Sequence, residues 1–127
     1  MKLINLIECN KELAQIEITG VTCDSRAVKP GFAFVCIVGS KSDGHDYATA
    51  AIEKGAAVII AERDLGLPNQ ITVSDTHAAF SGMCANWFGN PAKDLKLIGV
   101  TGTNGKSSVT YMLKKILEGQ GFKVGLI

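Results

Sequence analysis

Short apolar runs alternate along the chain with stretches in which apolar residues recur every three or four positions. The strand-like runs are residues 16–23, 32–38, 58–61 and 71–73. The first run alternates between apolar and polar or small residues, which is typical of a half-buried strand. A helix is predicted to begin after Asp46, as its cap, and to end at Gly55. Its apolar face comprises Ala48, Ala51 and Ile52.

A second helix is predicted after Asp75, whose side chain can cap its first turn. Its apolar face comprises Phe80, Met83, Cys84 and Trp87, at i, i+3, i+4 and i+7 spacing. The segment Gly89-Asn90-Pro91 ends this helix, because proline lacks an N–H and disfavours helical backbone in the residue before it. Strands that alternate with helices predict a mixed α/β fold. We place a domain boundary at the proline, between residues 1–90 and 91–127.

The segment after the boundary follows the order strand, glycine-bearing turn, helix and strand. Strands are predicted at residues 95–100 and 122–127, a turn at residues 101–106 and a helix at residues 107–118. The apolar face of this helix comprises Val109, Met112, Leu113, Ile116 and Leu117. A parallel sheet needs several paired strands with both faces covered. We therefore expect residues 91–127 to be the incomplete start of a parallel-sheet domain.

Composition indicates a folded, soluble protein. The chain has 127 residues, of which 46% are hydrophobic and 20% charged. No apolar run approaches the roughly 20 residues of a membrane span, and the first residues do not resemble a signal peptide, so we expect a cytoplasmic protein. The four cysteines are widely spaced without a C-x-x-C pair, so four reduced and mostly buried thiols are expected rather than a zinc site.

Charge is unevenly distributed along the chain. The net charge is +1, but residues 1–90 carry seven basic and ten acidic side chains, whereas residues 91–127 carry six lysines and two acidic residues. The small total argues against a general nucleic-acid binder. The basic second segment suits a phosphorylated ligand, although a lysine-rich solvated helix would give the same pattern.

The strongest chemical signal is the segment Thr101-Gly102-Thr103-Asn104-Gly105-Lys106-Ser107-Ser108, which joins a predicted strand to a predicted helix. Glycines at 102 and 105 permit positive φ and a close approach of backbone N–H groups to an anion, which the helix N-terminus also favours. Lys106 would reach the β- and γ-phosphates of ATP, and the Ser107 hydroxyl would bind Mg²⁺. Val100 stands where the full phosphate-loop spacing has glycine. The alternative is a glycine-rich turn with a solvated lysine.

The Thr-Gly-Thr-Asn-Gly-Lys-Ser variant resembles the ATP loop of the Mur ligases, the ATP-dependent amino-acid ligases of bacterial cell-wall synthesis. Residues 1–90 are similar to the same family in several segments. These include Asp24-Ser25-Arg26, Pro30-Gly31, Phe34-Val35, Asp43-Gly44-His45-Asp46-Tyr47 and Gly55-Ala56. Within the family, the chain is most similar to the branch that adds the third amino acid of the peptide.

The resemblance implies a UDP-substrate-binding domain at residues 1–90 and the beginning of an ATP-binding P-loop domain at residues 91–127. The UDP-substrate contacts it implies are Cys23, Ser25, Ser40, Lys41 and Ser42. The ATP contacts it implies are Gly102, Thr103, Asn104, Gly105, Lys106, Ser107 and Ser108. Lys106 and Ser107 would serve the chemistry, with Mg²⁺ on Ser107. The implied reaction joins a diamino acid, diaminopimelate or lysine, to UDP-MurNAc-L-Ala-D-Glu through an acyl phosphate.

Judged by residue types alone, much of the first domain has plainer interpretations. Asp24-Ser25-Arg26 can be a turn with a surface ion pair, and a lone His45 is more often structural than a ligand. Two other functions also stay open: a ligase that adds D-Ala-D-Ala, whose loop usually has serine at the position of Thr103, and a non-catalytic module that binds a UDP-sugar. Folate polyglutamylating ligases lack a domain like residues 1–90. The remaining catalytic groups would follow residue 127, so we expect no ligase turnover from this chain alone.

Overall fold

The computed structural model describes residues 1–127 and divides into two compact units, Met1–Lys93 and Asp94–Ile127. The first unit contains a four-stranded parallel sheet whose strands follow one another in sequence order. Its strands are β1 (Gly20–Thr22), β2 (Phe32–Val35), β3 (Val58–Ala61) and β4 (Gln70–Thr72). The predicted α/β fold is confirmed.

Strands β1 and β2 are shorter than the apolar runs that predict them, whereas β3 matches its run and β4 begins one residue earlier. Residues 16–18 do not extend β1: Ile18 and Met1 exchange backbone hydrogen bonds of 2.8 Å, and Glu17 forms an antiparallel bridge with Lys2. The apolar pattern of residues 16–18 is therefore explained by pairing with the N-terminus and not with β2. The first unit thus uses the start of the chain to close one part of its core.

Both faces of the sheet are covered, which explains why β2 and β3 are apolar at every position. One face carries Ala33, Val35, Val58 and Ile60, which pack with Leu3, Leu6, Ile18 and Met83. The other face carries Phe34, Cys36, Ile59 and Ala61, which pack with Val28, Ala48 and Ala51. Alternate residues of a strand point to opposite faces, so a single run of apolar residues supplies both halves of the core.

Two α-helices cover these faces, α1 (Ala48–Glu53) and α2 (Thr76–Trp87). The predicted cap of α2 is confirmed, since the Asp75 carboxylate accepts from the Ala78 N–H at 2.9 Å. The predicted cap of the first helix is wrong. Asp43, not Asp46, caps a 3-10 turn at Gly44–Tyr47, and α1 continues from that turn. An aspartate three residues earlier in the chain therefore begins the helical segment.

The second unit contains one α-helix, α3 (Lys106–Gly119), close to the predicted bounds. The strands predicted at residues 95–100 and 122–127 are wrong, because neither segment forms a ladder with another strand. A strand is defined by hydrogen bonds to a neighbour, and an apolar run alone does not provide one. No residue of α3 is buried. None of the helices in either unit combines the length and apolar character that crossing a membrane requires.

All four cysteines are free thiols, but they are less buried than predicted. Cys36 is buried, Cys9 and Cys84 are half-buried, and Cys23 is exposed. Burial raises the pKa of the Cys36 thiol to about 12, with a further contribution from nearby Asp43. This thiol therefore stays protonated and acts as a small apolar side chain.

Candidate substrate-binding edge and phosphate loop

The carboxyl ends of the four parallel strands lie along one edge of the sheet, and the loops after β1 and β2 carry the predicted contact residues of the first unit. Ligands of open α/β sheets bind outside this edge. The predicted residues Cys23 and Ser25 follow β1, and Ser40, Lys41 and Ser42 lie in the loop after β2. Since β1 and β2 are hydrogen-bonded neighbours, the structure brings the two predicted contact loops to adjacent positions of one edge.

The loop after β1 is fixed by Asp24 and Lys54. Asp24 accepts from the backbone N–H and the Nε of Arg26, both at 2.9 Å, and from the Arg26 Nη2 at 2.8 Å. These bonds lower the pKa of Asp24 to about 2. Lys54 donates from Nζ to the carbonyl oxygen of Ser25 at 2.7 Å. Asp24 and Arg26 thus form the turn and ion pair of the plainer interpretation, and they hold the backbone of Ser25 between them.

The loop after β2 folds back on its own strand. The N–H of Gly39 donates to the carbonyl of Ser42, and the N–H of Gly44 donates to the carbonyl of Ile37, both at 2.9 Å. A Cβ at Gly44 would lie 2.6 Å from the backbone nitrogen of Ile37, so only glycine fits this return. Ser40, Lys41 and Ser42 form the exposed tip of the loop. Their side chains are therefore available to a ligand.

His45 joins the base of this loop to the end of β3. Its side chain is fully buried, and its Nε2 accepts from the Glu62 N–H at 2.9 Å. An accepting Nε2 leaves the proton on Nδ1, which donates to Asp43. Arg63 donates from Nη2 to the other oxygen of Asp43 at 2.9 Å. Hydrogen bonds from His45, with a smaller contribution from Arg63, lower the pKa of Asp43 to about 2.

Glu62 and Arg63 belong to no motif that is visible in the sequence. The Glu62 carboxylate accepts from the backbone N–H and the hydroxyl of Thr76, at 2.9 and 2.8 Å, and these bonds lower the pKa of Glu62. It therefore ties the end of β3 to the start of α2. Their position in the sequence could have identified them. A polar pair that directly follows a buried parallel strand lies at the sheet edge where ligands bind.

The phosphate loop of the second unit has the backbone that its glycines predict. Gly102 has a φ of 149° and Gly105 a φ of 78°, both in the region that favours glycine. Gly105 precedes α3 and offers no side chain to cap it, and the N–H of Val109 makes the first backbone bond, to Gly105, at 3.0 Å. The N–H groups of the first turn are thus directed out of the helix, as anion binding requires.

Lys106 lies over this loop, because its Nζ donates to the carbonyl of Gly102 at 2.5 Å. The ammonium group therefore lies against the turn formed by Gly102, Thr103, Asn104 and Gly105. Ser107 and Ser108 follow in the first turn of α3 and are exposed. The seven predicted ATP contacts form one contiguous segment at a helix N-terminus.

Comparison with known proteins identifies the family. The profile described as "Mur ligase family, catalytic domain" matches residues 17–86. A UDP-N-acetylmuramoyl-L-alanyl-D-glutamate–2,6-diaminopimelate ligase of Clostridium botulinum is 48% identical over 126 residues, which cover 94% of this chain and 25% of that protein. The ligase of the same name from Syntrophomonas wolfei is 44% identical over 135 residues, covering 100% of this chain and 28% of that protein. The chain spans about a quarter of the length of these relatives.

Solved structures agree with this assignment. MurF from Acinetobacter baumannii matches with a TM-score of 0.60 at 32% identity, over 85% of this chain and 24% of that one. MurF from Thermotoga maritima, solved in complex with ADP, matches with a TM-score of 0.56 at 27% identity, over 82% and 24%. A 2,6-diaminopimelate ligase structure gives a TM-score of 0.69 over 95% and 26% of the two chains, and at 24% identity it supports the fold alone. This chain belongs to the Mur ligase family.

Proposed function

We propose that the chain provides two substrate-binding elements of an ATP-dependent ligase that adds the third amino acid to UDP-MurNAc-L-Ala-D-Glu. The observation that carries this proposal is the glycine-shaped loop at residues 102–108, in a chain 48% identical to a diaminopimelate ligase. Residues 1–90 would hold the UDP part of the substrate. Residues 91–127 would begin the ATP-binding domain, and the ligase would act in the cytoplasm.

The phosphate loop suits ATP in shape and charge. Positive φ at Gly102 and Gly105 leaves room for phosphate beside the backbone, and the uncapped first turn of α3 offers N–H donors. Lys106 already lies over the loop, from where its ammonium can exchange the Gly102 carbonyl for a phosphate oxygen. In this proposal Thr103, Asn104 and Ser108 complete the loop around the phosphates.

Mg²⁺ fits the same segment through a single protein ligand. Magnesium at ATP sites keeps several waters and is bound by one or two protein oxygens together with phosphates. Ser107 provides such an oxygen, next to Lys106 at the exposed start of α3. When bound, the ion neutralises charge on the phosphates, and Ser107 fixes its place relative to Lys106.

Residues at the carboxyl edge of the first unit would bind the UDP part. Ser25 lies in a turn that hydrogen bonds fix after β1. Ser40, Lys41 and Ser42 form an exposed loop tip after the neighbouring strand, β2. Serine hydroxyls and a lysine ammonium are suitable partners for ribose, base and diphosphate oxygens. Cys23 is exposed two residues before Ser25 and would contact the same ligand.

The reaction in this proposal proceeds in two steps. A substrate carboxylate oxygen attacks the γ-phosphorus of ATP, which gives an acyl phosphate and ADP. The amine of the diamino acid then attacks the acyl carbon, and phosphate leaves as the amide forms. Such phosphoryl transfer depends on positioning and charge neutralisation, which are the roles of Lys106 and Ser107.

The names of the curated relatives favour the third-residue ligase over the D-Ala-D-Ala ligase. Two ligases of the first kind are 48% and 44% identical to this chain, whereas the structure of a D-alanyl-D-alanyl ligase from Acinetobacter baumannii is 32% identical. The same names favour diaminopimelate over lysine as the amine.

Calorimetry on the full chain tests the proposal. We expect saturable binding of UDP-MurNAc-L-Ala-D-Glu and separately of Mg-ATP. Ser25→Ala should weaken only the first and Lys106→Ala only the second. Binding of the UDP compound with no Mg-ATP binding would favour the non-catalytic module. Binding of neither would contradict the proposal.

A further inference from the structure

The loop whose tip comprises Ser40, Lys41 and Ser42 is closed by hydrogen bonds at its base, and its tip is exposed. Its closure consists of two backbone hydrogen bonds, which together form the antiparallel bridge between Val38 and Asp43. These contacts fix the shape of the loop, yet all of them lie within residues 37–44. Outside this range, the His77 Nε2 on α2 lies 3.4 Å from the Val38 carbonyl oxygen.

His45 connects the loop base to the sheet edge at the end of β3. Its ring is buried and makes one hydrogen bond to each side, donating to Asp43 at the base of the loop and accepting from Glu62 at the end of β3. Both ring nitrogens are thus used by the protein, and neither is available to a ligand. Arg63, the next residue after Glu62, binds the second oxygen of Asp43. The end of β3 therefore attaches to the loop base at two points.

We infer that His45 is a positioning residue for UDP-substrate binding, which holds the Ser40–Ser42 tip at one place on the sheet edge through its bond to the Glu62 N–H. This inference rests on the proposed function, in which that tip contacts the UDP part. His45 touches no substrate atom in this account. It acts through Asp43 and Glu62.

Three substitutions separate the two bonds of the ring. His45→Gln is long enough to keep an acceptor for the Glu62 N–H. His45→Asn can still donate to Asp43 but is too short to reach Glu62, and His45→Phe keeps the volume and loses both bonds. We expect His45→Gln to bind UDP-MurNAc-L-Ala-D-Glu within about threefold of the wild type, and the other two to bind at least about tenfold more weakly. Mg-ATP affinity should not change in any of them.

Met83→Ala is the matched control for lost stability. Met83 is 1% exposed and belongs to the core on the α2 face of the sheet, outside residues 37–44 of the loop. All affinities are measured well below each variant's melting temperature, and we expect Met83→Ala to bind like the wild type. If Met83→Ala loses UDP-compound affinity as His45→Asn does, the effect follows stability and the inference fails.

A substitution at an exposed residue provides a further test if a His45 variant does not fold. The Arg63 side chain is 54% exposed, and Arg63→Ala removes only the second attachment of Asp43. We expect about threefold weaker binding of the UDP compound, against no change for the exposed Lys29→Ala. If the wild type binds the UDP compound, and the His45 variants that fold and Arg63→Ala bind it equally well, the inference is overturned. The proposed function then remains intact. Absence of wild-type binding would instead overturn the proposed function.

Discussion

The two units of the chain differ in how their structure is determined. In Met1–Lys93 every strand has a partner, and both sheet faces are filled by buried apolar side chains. In Asp94–Ile127 no strand forms and no residue of α3 is buried, with Met112 exposed at 59% and Ile116 at 63%. Yet the phosphate loop of the second unit has the backbone angles that its glycines predict. Local chemistry therefore shapes this loop without a packed core around it.

The largest expected effect comes from the core of the first unit. Phe34 on β2 is 1% exposed, so Phe34→Ala should lower the free energy of unfolding by about 3–5 kcal/mol. Met112→Ala on α3 should change it by less than about 0.5 kcal/mol, because that side chain is exposed. Urea unfolding followed by far-ultraviolet circular dichroism, to which the helices of both units contribute, measures both. Similar losses in the two variants would contradict the contrast between the units.

The second prediction concerns the phosphate loop at residues 102–108, whose backbone is shaped without a packed core. Lys106→Ala should weaken Mg-ATP binding by roughly tenfold to hundredfold, since a hydrogen bond to a charged group contributes about 1.5–3 kcal/mol. The control is Lys114→Ala on the same helix, where the lysine pairs only with Glu118 at 3.7 Å. Calorimetry should find the control unchanged. Equal weakening by the two variants would mean that only the general charge of α3 matters.

A smaller effect is expected at the start of α2. Asp75→Ala removes the bond to the Ala78 N–H and should lower the stability of the first unit by about 1 kcal/mol. Asp75→Asn keeps an acceptor oxygen and should lose little. Urea unfolding of the two variants makes the comparison. A full loss in Asp75→Asn would show that the charge, and not the cap, is the stabilising feature.

The smallest prediction concerns pH. The pKa of Asp43 falls from its ordinary value of 3.8 to about 2 in the folded protein. Its contribution to stability is thus complete above about pH 4 and is lost as the pH falls towards 2. Asp43→Asn should make the loss of stability over this range shallower, with a residual slope from Asp24, whose pKa is also about 2. Urea unfolding at several pH values measures it, and an unchanged slope would contradict the assignment.

The parts of the fold that the sequence predicts are those determined within a few residues. The Asp75 cap, the apolar face of α2 and the positive φ of Gly102 and Gly105 all depend on neighbours along the chain. The strand at residues 58–61 also matches, because a short apolar run between turn residues is a strong signal.

All but one of the errors concern contacts between distant residues, and the exception is the choice of helix cap. Residues 95–100 and 122–127 have strand-like composition, but a ladder requires a partner that composition does not reveal. The role of His45 depends on Glu62, 17 residues away, and the bond could not be inferred from the turn motif in which His45 stands. Asp46 and Asp43 are equally plausible caps by residue type, and only the 3-10 turn at Gly44–Tyr47 separates them.

The most direct test of the central claim, that the chain carries two distinct ligand-binding segments, is a ¹H–¹⁵N NMR titration of the full chain. Mg-ATP should shift the amide signals of residues 102–108 and leave those of Ser25 and Ser40–Ser42 in place. UDP-MurNAc-L-Ala-D-Glu should produce the opposite pattern. Mg-ATP shifts that cluster at the loops after β1 and β2, or no shifts at residues 102–108, would contradict the account.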